Sequence, residues 1–560
     1  MFLFDLFRSF LPLHNPLGFG VGDFLLLALA LLLAVCAIGF MRLQPLVQRL
    51  GSHTRWTMLF LAALPVLLRL ALLPRFPAPA PAGADDFGYL LLADTLRHLR
   101  LANPAHPLHR FFEAVFVLQE PTYSAIFPPG QGLALAFGWT ILGHPWAGVV
   151  LPVAAFCALC FWMLRGWTTP GWALVGGLLA VAEFGPLNQW MNLYWGGAVG
   201  AAAGCLVSGA LPRMKAAGRR RDAALLGAGL GLALLTRPFE FLLLGLCVLA
   251  YSAWQLRVGW RRWAVPCAAA FAPAVLLMLA QNYAVTGSFA TMPYQLSRYQ
   301  YGVPATFTFQ SDPVPHRALT AEQALDYRAQ SLMHDEAGAT TPAERLGERL
   351  HFYRFFFYPA LLLALPAFLF ALREFRFAWA AGCIIVFALG TAFYPYFYPH
   401  YVAALTCLFV LAAVTALERL SRWTIRGHAV GAEAARVVAF LCAAHFVFWY
   451  GMHCGSQPLL MAAGRYDTAD FINYGDPEGR IRIASELAGQ PGKHLVFVRY
   501  SREHQFHEWI HNAADIDAAD VVWAADLGPE EDQKLRAYYP SRTVWLCEPD
   551  ARPPLLTPYR

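Results

Sequence analysis

Apolar runs long enough to cross a lipid bilayer recur along most of the chain. A membrane-spanning helix needs about 20 predominantly apolar residues. Such runs lie at 24–41, 56–74, 146–164, 171–186, 192–212, 222–236, 239–255, 264–283, 354–371, 377–394, 401–417 and 435–452. The pattern predicts an all-α polytopic membrane bundle of about 12–13 transmembrane helices. The first run lacks a small-residue cleavage site and is followed by many others, so it reads as a retained span. The apolar stretch from Gly130 to Gly143 is shorter. Counting it as a full span would reverse the sidedness of the loop at 213–221, so it reads as re-entrant or interfacial.

After residue 454 the periodicity changes. The strand-like runs HLVFVRY (494–500), ADVVWAADL (519–527) and RTVWLCE (542–548) alternate with polar, helix-like stretches. This predicts a small soluble α/β domain over 455–560 behind a multi-span membrane domain over 1–454. No Gly-rich loop follows its strands, so no nucleotide site is expected there. The tail is expected to be dispensable for chemistry and to serve acceptor or partner binding.

Short loops rich in Arg and Lys stay cytoplasmic, and five stand out: Arg42, Arg49 and Arg55; Arg213, Lys215 and Arg219 to Arg221; Arg257, Arg261 and Arg262; Arg373 and Arg376; Arg419, Arg422 and Arg426. Alternation between them puts loops 75–129 and 284–353, the turns near 187–191, 237–238 and 395–400, and the tail on the opposite, external side. The expected location is the inner (plasma) membrane, multi-pass, with the active face external (periplasmic).

Composition sharpens this picture. Hydrophobic residues make up 58% of the chain and charged ones 14%, against roughly 25% charged in soluble domains, and mean hydropathy is +0.44. A soluble or disordered protein is excluded, and the charge density is too low for a nucleic-acid-binding face. The net charge of +6 is uneven: the chain from 455 onward carries 11 basic and 16 acidic residues, so the tail is acidic and the remainder basic. Most cysteines sit inside apolar runs as small hydrophobes, including the Cys157/Cys160 pair, and imply no disulfide framework. Cys454 and Cys547 lie outside those runs and could pair in an oxidising compartment.

The chemistry-bearing residues gather in the external segments. The first long loop opens with Ala84-Asp85-Asp86-Phe87. One carboxylate of such a pair can take a proton from a hydroxyl while its neighbour holds a divalent ion or orients the acceptor. On residue type alone a capping role for either Asp, at a helix starting at Phe87, is the favoured reading, and the two roles can coexist on different carboxylates. Further on come Glu120-Pro121-Thr122-Tyr123 and Phe127-Pro128-Pro129, in a loop dense in Pro, His and aromatics. Asn192 and Tyr194, beside Trp190 and Trp195, could bind sugar hydroxyls or form an ordinary aromatic belt. Arg298 and Arg69 add cations on the same side, and Arg69, within a span, can snorkel to the interface.

The acidic pair, the short helix after it, the E-P-x-Y and x-P-P segments, the apolar helix ending in Gly and the dozen spans together resemble the GT-C membrane glycosyltransferases. Within them the likeness is to the protein O-mannosyltransferase type, which includes the lipid A aminoarabinose transferases. The resemblance covers roughly 56–452. It implies Asp85 as the base, with Asp86 as its helper or, if a divalent metal ion is used, its ligand. The family's T-K or T-R turn matches Thr236-Arg237-Pro238 with Glu240 following, and its late aromatic turn matches Tyr394 to Tyr401 (YPYFYPHY). Arg237 and His400 are thereby candidates for the donor phosphate, although His400 also suits an interfacial belt, and Arg298, as an external cation, is a further candidate. Glu120, Tyr123, Asn192, Tyr194 and Tyr401 are candidates for sugar or acceptor contacts. Where family members often carry a basic residue before Pro-Pro, this chain has Phe127.

The expected activity is transfer of a sugar from a polyprenyl-phosphate donor to an acceptor hydroxyl, with inversion. The expected partners are that lipid-linked sugar, membrane lipids and a lipid, glycan or protein acceptor. The alternatives are a transporter or flippase of lipid-linked intermediates and a non-catalytic envelope-assembly component. Against transport, no repeated halves are evident and the charges gather at the external ends, away from the bilayer midplane.

Overall fold

A computed structural model describes residues 28–33, 35–36, 44–81, 83–256, 260–455, 479–502, 504 and 508–559. Most of the expected span 24–41, together with Arg42, Arg257 and the junction 456–478, lies outside the described residues. From α1 (Gln44–Ser52) and α2 (Thr54–Ala71) the chain enters the first long loop, which carries α3 (Ala84–Arg97) and the strands β1 (Asn103–Pro104), β2 (Val117–Leu118) and β3 (Thr122–Ala125). There follow α4 (Pro129–Leu142), α5 (Ala147–Leu164), α6 (Pro170–Phe184), α7 (Ala198–Ala217), α8 (Arg220–Thr236), α9 (Pro238–Gln255) and α10 (Trp260–Thr286). The second long loop holds α11 (Pro293–Tyr301), α12 (Ala321–Ala339) and α13 (Pro342–Phe352), and the bundle closes with α14 (Phe375–Thr391), α15 (Thr406–Ser421) and α16 (Val430–Cys454).

Six described helices are long and apolar enough to cross a membrane, and the bent pair Pro342–Phe356 and Pro359–Ala371 makes up to seven; α6 and α14 are apolar but shorter. The 114° bend falls before Pro359, where the missing N–H and the ring's clash with the preceding turn break a helix. Apolar side chains point outward along these helices: Leu242, Leu246 and Leu249 on α9 are each more than half exposed. Only a lipid solvent accommodates such a surface, so this is a multi-pass membrane protein. Where helices meet, small residues allow close approach. A Cβ on Gly227 of α8 would lie 2.1 Å from the Cys267 carbonyl oxygen of α10.

The two ends of the bundle differ in charge. At one end the basic loops interlock: Arg165 Nη1 donates to Gly51 O (2.6 Å), Arg376 Nη1 to Trp167 O (2.9 Å) and Arg213 Nη2 to Trp162 O (2.5 Å). At the other end the long loops and the tail pack together. Thr122 Oγ1 donates to Val285 O (3.1 Å), Gln323 Nε2 to Ala114 O (3.3 Å) and the Val115 N–H to Glu508 Oε1 (2.7 Å). Helix α4 starts against Thr236 and ends against Gly148, at the end of α5 opposite Arg165. Both its termini therefore stay at the loop end, as expected for a helix that does not cross.

In the tail, β4 (His494–Val498) pairs in parallel with β5 (Val521–Ala525) and β6 (Thr543–Glu548), and β7 (Leu555–Pro558) adds antiparallel to β6, giving the order β5-β4-β6-β7. Helices α17 (Arg480–Ala488) and α18 (Pro529–Tyr538) accompany the sheet. Strand β7 escapes the sequence reading because it is a short edge strand ending in Pro558 and preceded by Pro553 and Pro554, and Pro signals against a strand. Cys454 and Cys547 are both free, and Cys547 is buried in the tail.

Candidate active site

At the loop end a cavity of about 800 Å³ opens between the bundle, the second loop and the tail. That is within the size range of ligand pockets. Asp85, Arg237, Arg298, His400 and Tyr401 all line it. Asp86, Glu120, Tyr123, Asn192 and Tyr194 do not.

Asp85 sits in the first turn of α3, whose N-cap is Gly83, so neither Asp is the cap and the helix begins earlier than Phe87. Consecutive residues on a helix point about 100° apart, which separates the two carboxylates. Asp85 faces the cavity. Asp86 is 2% exposed and turns into the protein, where Oδ1 accepts the Tyr194 N–H (2.8 Å). Burial and then neighbouring Asp86 push the Asp85 carboxyl up to about 7, against the pull of Arg237. Because the carboxylates diverge, they do not offer a divalent ion two ligands at once. Among the described residues no group of three or more His, Cys, Asp or Glu side chains could hold a metal ion.

Arg237 occupies the joint between α8 and α9. Pro238 at N1 of α9 disfavours a helical conformation before it, and Arg237 is extended at φ −147°, ψ 92°. The guanidinium lies over the Tyr401 ring at 4.3 Å and 3.7 Å from Glu240 Oε1, and Tyr394 Oη donates to the same Glu240 oxygen (3.1 Å). His400 stands on the short 3-10 turn Pro399–Leu405 and packs edge-on against Trp195 at 4.9 Å. Arg298, on α11, donates to Thr306 Oγ1 and lies over the Tyr294 ring at 4.8 Å.

The remaining predicted residues hold the loops around the cavity. Glu120 is on the surface, 3.2 Å from Arg317 Nη1. Tyr123 donates to Asn512 O of the tail (3.2 Å), and Tyr194 donates to Pro79 O (2.8 Å). Asn192 Oδ1 accepts from Arg69 Nε (2.9 Å); Arg69 does not snorkel but is fully buried, donating also to Phe76 O and Pro77 O. Phe127 stacks on Tyr89 at 4.2 Å and its ring lies where a Cβ on Gly88 would be, 2.6 Å away. The position before Pro-Pro is thus filled by aromatic packing.

Four acidic or histidine side chains of the cavity escape the sequence reading: Glu322 and Asp326 on α12, and His504 and Glu508 in the tail. Burial is the main cause that raises Glu322 and Glu508 to about 8 and Asp326 to about 6. The i, i+4 spacing of Glu322 and Asp326 behind the Thr320 capping box was an available signal for one shared helix face. No local signal marks the tail pair. The tail is also clamped onto the helix of Asp85, since His511 stacks on Phe87 at 4.0 Å and Arg480 lies over the same ring at 4.5 Å.

Among solved structures, ArnT from Cupriavidus metallidurans bound to undecaprenyl phosphate is similar at TM-score 0.50 and 13% identity, over 87% of this chain and 92% of that one. The fold is that of the GT-C glycosyltransferases. The same ArnT in the apo state gives TM-score 0.49 at 14% identity, over 89% and 93%. The archaeal oligosaccharyltransferase AglB from Archaeoglobus fulgidus, in complex with an inhibitory peptide and a dolichol-phosphate, gives 0.46 at 11%, over 88% and 69%. No protein-family model and no curated protein matches the chain.

Proposed function

We propose that this protein is an inverting glycosyltransferase of the inner membrane that moves a sugar from a polyprenyl-phosphate donor to an acceptor hydroxyl on the periplasmic face. The observation that carries this reading is the meeting of Asp85 and Arg237 in one cavity at the end of the bundle. The undecaprenyl phosphate bound by the ArnT of similar fold supports a polyprenyl phosphate as carrier. The basic loops at the opposite end support the sidedness.

In the proposed reaction the donor's phosphate lies against Arg237. The Asp85 carboxylate accepts the acceptor's hydroxyl proton as the acceptor oxygen forms its bond to the anomeric carbon. The bond from that carbon to the phosphate oxygen breaks, and polyprenyl phosphate leaves with its new charge held by the guanidinium. A carboxyl that titrates at about 7 is well matched to a general base near neutral pH. Phosphate needs no acid to leave. Asp86, holding the Tyr194 backbone, fixes the turn that presents Asp85.

The test is to purify the protein in lipid nanodiscs, extract its bound lipid, and incubate it with an undecaprenyl-phosphate hexose or pentose. Co-purified polyprenyl phosphate and release or transfer of the sugar are expected. A protein that neither carries nor binds polyprenyl phosphate would overturn the reading.

A further inference from the structure

The mechanism above leaves His504 unused, yet it is 8% exposed and on the cavity wall. Its Nδ1 lies 2.6 Å from Asp550 Oδ1. In the neutral imidazole a carboxylate there fixes the proton on Nδ1 and leaves Nε2 as a hydrogen-bond acceptor. Nε2 meets no hydrogen-bond partner among the described residues. The Tyr500 ring, 4.0 Å away by centroids, holds the imidazole plane. A buried, oriented, unpartnered acceptor is costly to keep unless a ligand donates to it.

Its surroundings say which ligand. Glu508 is close enough to His504 for their charges to interact, and Glu322 and Asp326 each feel Glu508. Asp85 lines one cavity together with Arg237, at the bundle joint, and with Glu322, Asp326 and Glu508, which come from α12 and the tail. Direct displacement puts the incoming oxygen opposite the leaving phosphate. With the phosphate at Arg237, the incoming group approaches from the side of the acidic wall.

Resting on the transferase reading, we propose that His504, with Glu508, Glu322 and Asp326, forms the acceptor subsite, and that its ligand is an uncharged, hydroxyl-rich saccharide headgroup donating a hydrogen bond to His504 Nε2. Carboxyl groups and a lone-pair nitrogen suit several O–H donors, and none of these four side chains offers a fixed cation to an anionic acceptor. Asp550 is a positioning residue that sets the tautomer. The tail domain is then part of the transfer site.

The experiment is saturation-transfer NMR on the full-length protein in nanodiscs, with a mixture of neutral methyl glycosides as probe. Undecaprenyl phosphate is titrated separately by fluorescence. Wild type is expected to bind glycoside, His504→Phe to lose at least tenfold in glycoside affinity, and His504→Gln, whose amide oxygen can again accept, to stay within about threefold of wild type. Undecaprenyl phosphate affinity is expected to be equal in all three. No glycoside binding by wild type, unchanged binding by His504→Phe, or a parallel loss of undecaprenyl phosphate affinity that marks a structural role would each overturn the subsite. Failure of wild type to bind undecaprenyl phosphate while glycoside binding follows the expected pattern would instead sink the donor reading.

Discussion

The two walls of the cavity are built differently. One wall comes from turns of the bundle: Arg237 at a helix joint, and His400 and Tyr401 on the turn before α15. Beside the Arg237–Glu240 pair its groups are aromatic, and their places are fixed by Pro238 and Pro399, which local sequence already marks. The other wall comes from α12 and the tail and carries carboxyl groups and an imidazole. Its tail part is brought there by contacts distant in sequence, among them the Val115 N–H on Glu508 across nearly four hundred residues of chain and the grip of His511 and Arg480 on Phe87. The contrast separates a wall made by secondary structure, which we propose faces the phosphate, from a wall made by tertiary docking, which we propose faces the acceptor.

The largest effect expected on the first wall is from Arg237. Arg237→Ala should slow transfer about 10²- to 10³-fold, the usual scale for removing a group that stabilises developing negative charge. Arg237→Lys should lose nearly as much, because an ammonium cannot copy a bidentate guanidinium. Steady-state turnover measures both. Unchanged kinetics would reduce Arg237 to a helix joint and erase the difference between the walls.

On the second wall a smaller effect should appear in stability. Burial raises the Glu508 carboxyl to about 8, so the folded state favours its neutral form. The associated stability is full below the unfolded value near ~4.3 and is lost as pH rises through about 8. One such group changes stability by at most about 1.4 kcal/mol per pH unit. Glu508→Gln keeps an acceptor for the Val115 N–H but cannot ionise, so thermal unfolding between pH 6 and 9 should fall less steeply in the variant. Identical slopes would show that Glu508 is not held in the docked interface.

The smallest effect is expected at Asp86. Asp86→Asn retains an oxygen for the Tyr194 N–H, and transfer should stay within about threefold of wild type, as for a group outside the proton transfer. A collapse of activity would give Asp86 a chemical role that its inward orientation does not explain.

How far the sequence reaches follows the same division. The helix-length runs, the basic loops and the three parallel strands of the tail were legible because hydrophobic periodicity and charge act locally. Asp85 and Arg237 entered as candidates through the family resemblance, and both line the cavity. Asn192, Tyr194, Tyr123 and Glu120 were candidates by residue type, but each is used away from the cavity, in holding Arg69, Pro79, the tail and Arg317. Side-chain chemistry alone does not reveal which way a loop residue turns. The tail, expected to be dispensable for chemistry, brings His504 and Glu508 to the cavity, and nothing short of the docked fold could place them there.

The proton-transfer role of Asp85 is tested most directly by Asp85→Asn, assayed from pH 5 to 9 with undecaprenyl-phosphate sugar and with undecaprenyl phosphate binding as the folding control. Wild-type transfer should rise with pH through about 7, as the Asp85 carboxyl ionises. The variant should bind the lipid normally and lose about 10²- to 10⁴-fold in rate, the usual cost of losing a general base. A variant that transfers sugar as fast as wild type, with the same pH profile, would contradict the assignment of Asp85 as the base.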